Sequence, residues 1–330
     1  MLEGVTNNIS VNKQNPYWNM GIKSSIPTQA ITGTLERQPK TDNIELTKKP
    51  MSKQTKTLLT LGGIATAVVG AVLAVKGYRS HQISKGLEQI EQKFLKLQEN
   101  IPEVQKTFKD VFLRGDITEK EALEMLNRYK EVEKVGVTGT KEEYIQAVFD
   151  EAKRNFGFKD SKFELRLVNG QVSKNGKTEG GAATICNRIE IDPRAKMEKI
   201  QGIMHHEMRH IKQHYYEINY DIDKYMDALS KRTVGSLKSL GIENIEFDDV
   251  VRKHLLNEIK ETFNLAVFSR NNIPKEHINY TKQLLEAEKT YADAHIDFNT
   301  YYNNFKEVDA RHAGGLIDKL FQGAILGGNK

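Results

Sequence analysis

A chain of 330 residues is long enough to bury the core of one enzyme-sized domain and still carry appendages. Its 49 basic and 44 acidic residues leave a net charge of only +5 and are interleaved rather than gathered into blocks, which argues against nucleic acid as a partner. The single cysteine, Cys186, excludes an intrachain disulfide and leaves the redox compartment open.

Residues 1–56 are rich in Asn, Thr, Gln, Ser and Lys without sustained apolar periodicity, a composition that predicts a disordered polar tail. No apolar run follows Met1, so no cleavable secretory signal is expected there. Residues 57–78 contain LLTLGGIATAVVGAVLAV, Leu58 to Val75, without a single charge. As a helix this stretch reaches about 27 Å, enough to cross a bilayer core, and it predicts a single-pass membrane helix with the lipid bilayer as partner. Small residues at Gly63, Ala67 and Ala71 permit close packing of two such helices, and with it self-association. Lysines flank both ends, so the charge bias leans only slightly to a cytoplasmic N-terminus and leaves the side of the catalytic domain open.

Residues 79–136 place Ile83, Leu87, Ile90 and Phe94, then Val104, Phe108 and Val111, at helical spacing, with Pro102 dividing two helices. Thr118 and Glu121 form a capping-box pattern at the start of a third. These helices are expected to form a stalk or the first helical layer of the soluble part of the chain. Gly136 and Gly139 mark the boundary to a second domain, 137–330. That domain opens with a helix near Tyr144 and a short strand, Phe163 to Val168. In the run Ala182 to Ile191, Ala183, Ile185, Ile189 and Ile191 share one face, which reads as a single half-buried strand at a sheet edge. A helix starting near Ala195 comes next, and the chain after Tyr220 reads as helices with turns near Gly241 and at Asn271–Pro274. The fold class expected is α+β, a small sheet packed on the helix that follows it, with a mainly helical C-terminal half.

Four of the nine histidines fall in MHHEMRHIKQH, Met204 to His214. His206, Glu207 and His210 form the pattern H-E-x-x-H: a spacing of four puts both imidazoles on one side of a helix, where they can share a tetrahedral metal, with a carboxylate beside them. At 100° per residue these three border the apolar stripe of Ile200, Ile203, Met204 and Ile211, whereas His205, Arg209 and Lys212 fall on the opposite side, which is expected to be solvated. His214 stands about 12 Å along the axis from His206, too far to bind the same ion.

A helix carrying H-E-x-x-H after a short strand, with KEVDARHAG about a hundred residues later, resembles the gluzincin branch of the zincin metallopeptidases. The resemblance spans roughly Tyr144 to Gly315, and only its first motif is specific. It implies a Zn2+ ion held by His206, His210 and Glu307, with Glu207 as general base in the hydrolysis of a protein or peptide substrate. Many gluzincins carry, four residues after the ligand glutamate, an aspartate that orients a metal histidine. That position is Arg311 here, and the nearest substitute is Asp309. Tyr301 and Tyr302 are candidate oxyanion donors, and Ala183, Thr184 and Ile185 a candidate strand for pairing with substrate backbone. The metzincin branch is excluded, because Gln213 and Tyr216 stand where it needs Gly and His. Two other readings remain: a deformylase-like hydrolase with Cys186 as third ligand, and an inactive zincin-like protein that acts as a membrane-tethered interaction module. The expected function is that of a membrane-anchored zinc metallopeptidase.

Overall fold

A computed structural model describes residues 80–168, 181–184, 188–239, 249–291 and 297–322. The polar tail and the apolar segment 58–75 lie outside the described residues, and among these no helix is long and apolar enough to cross a membrane. The described residues from Lys85 onward belong to one compact unit, of α+β class and mostly helical.

Helix α1 covers residues 80–99 and α2 covers Ile101–Phe112, with Pro102 in its first turn, where its missing N–H has no partner to lose. Thr118 and Glu121 close the expected capping box on α3, Glu119–Thr138, and an equivalent pair, Thr140 and Glu143, opens α4, Lys141–Asn155. Gly136 lies inside α3, and Gly139 ends it with a backbone N–H to Val135. The apolar stripes read from sequence turn inward: Ile90 and Phe94 of α1, Val104, Phe108 and Val111 of α2, and Met125, Leu126 and Tyr129 of α3 meet in one core.

The sheet has three short strands, β1 Glu164–Leu167, β2 Gly181–Thr184 and β3 Arg188–Ile191, in the order β1-β3-β2. β1 runs parallel to β3 and β2 antiparallel to it, with Ala183 opposite Ile189. The single strand expected over Ala182–Ile191 is therefore two strands of a hairpin. Periodicity alone could not tell the two apart. Residues directly opposite in an antiparallel pair share a face, so Ala183 and Ile189 have the same sidedness whether the chain runs straight or doubles back. No Gly or Pro lies between them, and Asn187 is the only turn-favouring residue there.

The 3₁₀ turn Met197–Lys199 leads into α5, Ile200–Tyr220, so the helix starts five residues later than Ala195. It is followed by α6 Ile222–Ser239, α7 Asp249–Phe263, α8 Ile278–Glu288, α9 Phe298–Asn303 and α10 Phe305–Phe321. α5 is the central element, packed on α4, α8, α10 and the sheet. Consequently its supposed solvated side is not solvated. His205 is fully buried and Arg209 is 4 % exposed, while Lys212 is half-buried.

Each of these polar groups is buried with a partner, as burial requires. His205 donates from Nδ1 to the Gln201 carbonyl at 2.7 Å, which leaves Nε2 to accept the Tyr129 hydroxyl at 2.6 Å. Burial lowers its pKa to about 4, so it is neutral. Arg209 makes a bidentate pair with Asp309 of α10, both bonds 2.7 Å, and its Nη1 reaches the carbonyls of Asp110 and Val111 in the last turn of α2. One guanidinium thus ties α2, α5 and α10 together, using carbonyls that a helix end leaves unpaired.

Candidate metal centre

The site depends first on how closely α10 approaches α5. Glu307, Ala310, Gly314, Ile317 and Phe321 recur at helical spacing on α10, and all are buried. A Cβ added at Gly314 would stand 2.6 Å from the carbonyl oxygen of Gly202, with no flexible side chain to give way. The crossing at Gly202 and Gly314 lies one turn before His206 and two turns after Glu307, and it holds the glutamate against the two histidines.

His206, His210 and Glu307 form the one group of three or more metal-ligand side chains found among the described residues, with one donor atom of each within 4.8 Å of the others. The two Nε2 atoms lie 3.2 Å apart, His210 Nε2 is 3.2 Å from Glu307 Oε1, and His206 Nε2 is 3.6 Å from Glu307 Oε2. Tyr291 donates its hydroxyl to Oε1 in a short hydrogen bond, whereas Oε2, although buried, has no hydrogen-bond partner. A buried carboxylate oxygen left so, 3.6 Å from the His206 Nε2 and on a carboxylate that also meets His210, fits a site for a cation.

The orientation of both rings is set by their second nitrogens. Gln213 donates from Nε2 to the Lys306 carbonyl at 3.0 Å and to Asp309 Oδ2 at 2.8 Å, so its Oε1 is the acceptor for His210 Nδ1 at 2.9 Å. His206 hydrogen-bonds the Ala310 backbone. With those positions occupied, Nε2 of each ring is turned to the cluster. Asp309 thus reaches His210 through Gln213 rather than directly, and it is itself fixed by Arg209 and by the Tyr280 hydroxyl at 2.6 Å.

Burial and the neighbouring charges pull the three side chains in opposite directions. Burial opposes a charge on His210, but the adjoining Glu307 carboxylate, backed by Glu207, overrides it and raises the ring to about 9. Burial and then the neighbouring His210 charge press His206 down to about 3. Burial also disfavours the Glu307 anion, yet His210 holds it well below the usual carboxylate range. The donor set therefore attracts positive charge to the space between Nε2 of His210 and Glu307. Glu207 is 6 % exposed, and its Oε1 lies 4.0 Å from His206 Nε2, beside the cluster without belonging to it.

The remaining candidates are not among the three donors. Tyr301 packs edge-on against Tyr291, ring centroids 5.9 Å apart, and Tyr302 is exposed and stacked on Phe298. Ala183 and Thr184 lie on β2, whose second edge has no strand partner among the described residues. Ile185 and Cys186 lie outside the described residues.

His214 belongs to a second buried cluster. Its Nδ1 lies 3.2 Å from the Tyr225 hydroxyl and 3.3 Å from Glu217 Oε2. Lys306, 1 % exposed, is paired there with Glu217 at 2.9 Å and Glu288 at 2.5 Å, and Arg232 approaches Glu288 from the other side at 2.6 Å. Sequence reasoning missed Tyr291, the role of Gln213 and this entire cluster. Gln213 enters the sequence reading only as the residue that breaks the metzincin pattern.

No family model matches this chain, and the searches of characterised proteins and of solved structures find no significant match.

Proposed function

We propose that the protein is a membrane-anchored, zinc-dependent metallopeptidase of gluzincin type. The observation that carries this reading is the convergence of three donors from two helices beside a fourth, non-ligating carboxylate. For zinc bonds of 2.0–2.1 Å, the donors of a tetrahedral site stand ~3.3 Å apart. The two Nε2 atoms, 3.2 Å apart, fit that spacing, and they approach Glu307 through different oxygens, His210 to Oε1 at 3.2 Å and His206 to Oε2 at 3.6 Å; with one donor atom taken from each residue the group lies within 4.8 Å. Three protein donors leave the fourth position for water or substrate, as catalytic rather than structural zinc requires.

When bound, zinc would supply a Lewis acid that polarises the scissile carbonyl and makes water more acidic. Glu207, held on the same face one residue from His206, accepts the proton of the attacking water and passes it to the leaving amine. Gln213 and Asp309 hold the ring of His210, and Tyr291 holds Oε1 of Glu307, so that the donor atoms need no rearrangement. Glu307 offers a third donor, which the deformylase-like alternative would draw instead from Cys186, a residue outside the described ones.

Full-length protein should bind one zinc and degrade unfolded casein, with both lost on chelation. In Glu307→Ala the zinc affinity should fall by about 100-fold or more, while His214→Ala, which alters a residue outside the cluster, should bind zinc as tightly as the unmodified protein. Zinc-loaded protein that cleaves nothing would favour the inactive, tethered interaction module. The anchor is supported by the eighteen uncharged residues Leu58 to Val75. Carbonate washing should leave the chain in the membrane pellet, and its release would refute the anchor.

A further inference from the structure

Arg311 stands one turn beyond Glu307 on α10, on the same face. Its guanidinium is held chiefly by Tyr302: the centre lies 3.7 Å from the centroid of the Tyr302 ring, and Nη2 donates to the Tyr302 carbonyl. The other end makes only a long ion pair, without a hydrogen bond. Nη1 lies 4.0 Å from Oε2 of Glu307, outside hydrogen-bond range, and that oxygen is the one that lacks a partner. The side chain is 30 % exposed and lies beside His206, the most exposed of the three donors at 19 %. A preorganised cation therefore flanks the open side of the cluster, within about one van der Waals layer of a metal-facing oxygen.

We propose that Arg311 is a catalytic residue of the peptidase reaction, donating from Nη1 to the oxyanion that forms on the scissile carbonyl. This rests on the metallopeptidase reading above. As water attacks, a C–O bond forms, its proton goes to Glu207, and the carbonyl π pair moves onto oxygen, where Arg311 meets the new charge. The pair then returns, the C–N bond breaks, and Glu207 gives the proton to the departing nitrogen. A substrate carboxylate is the competing target for such a guanidinium, and the paired peptides below separate the two. Donors aimed at the new charge are worth more than donors aimed at ground-state groups.

The test uses full-length zinc-loaded protein and a neutral peptide with an amidated C-terminus, alongside the same peptide with a free carboxylate. Arg311→Met should lower kcat about 100-fold on both with KM changed less than about twofold, leave zinc affinity intact, and weaken binding of a phosphinic peptide by the same factor as kcat/KM. Guanidinium ion should restore part of the rate in Arg311→Ala, and Arg311→Lys should retain more activity than Arg311→Met. A rise in KM confined to the free-carboxylate peptide would make Arg311 a receptor for the substrate's charge and overturn the proposal. Loss of zinc affinity would reduce Arg311 to a support for Glu307. Wild-type protein that binds zinc without cleaving either peptide overturns the peptidase reading, and this role with it; unchanged kcat in an otherwise active Arg311→Met protein overturns this role alone.

Discussion

Glu207→Gln should leave zinc bound at full stoichiometry and lower kcat for peptide hydrolysis by about 10²–10⁴-fold. The substitution is nearly isosteric, and it removes a proton acceptor from the group that sits beside the three donors, 4.0 Å from His206 Nε2, without being one of them. A carboxamide cannot take the proton of the attacking water, so the rate should fall while KM stays near its original value. Zinc content by emission spectrometry and single-substrate kinetics would decide the matter. Loss of zinc together with activity would make Glu207 a ligand, and full activity would remove it from the mechanism.

Lys306→Met should lower stability by ~3–5 kcal/mol, the largest folding effect expected from one substitution in this chain. The ammonium is 1 % exposed and lies within 3.2 Å of three carboxylate oxygens of Glu217 and Glu288, both also buried. A thioether of similar length fills the space but strands Glu217 in a medium of low dielectric with only His214 beside it, and burial keeps that ring neutral. Glu288 is less affected because Arg232 remains. In urea denaturation the midpoint should drop without a change of slope, and adding Glu217→Gln should recover much of the loss, since the second substitution removes the stranded charge. An unchanged midpoint in Lys306→Met would show that the cluster contributes little. Because Lys306 precedes Glu307 on α10, its loss should also loosen the cluster of His206, His210 and Glu307.

How much of the fold and the site is legible in the sequence differs from one residue to the next. Thr118 and Glu121 were readable because a capping box is completed inside a single turn, and so were the stripes of Ile90, Phe94, Val104 and Phe108. The hairpin of β2 and β3 was not, because its alternation has the same parity as one straight strand. Arg209 was assigned to solvent because an amphipathic wheel assumes that a helix has one buried side. α5 is surrounded, and Arg209 tolerates burial only through Asp309 and the α2 carbonyls, partners about a hundred residues away on either side of it.

By itself the sequence determined the pair His206 and His210, the carboxylate between them and the helix that aligns all three, since helical pitch relates residues four apart whatever surrounds them. It named Glu307 only through a resemblance. The tertiary structure decided what completes the group: the crossing at Gly202 and Gly314 that brings α10 against α5, the Gln213 and Asp309 relay behind His210, and Tyr291 on Glu307. The crossing and the Gln213–Asp309 contact join segments about a hundred residues apart, and their geometry depends on side-chain volumes and hydrogen-bond partners where packed helices cross, which no local periodicity encodes.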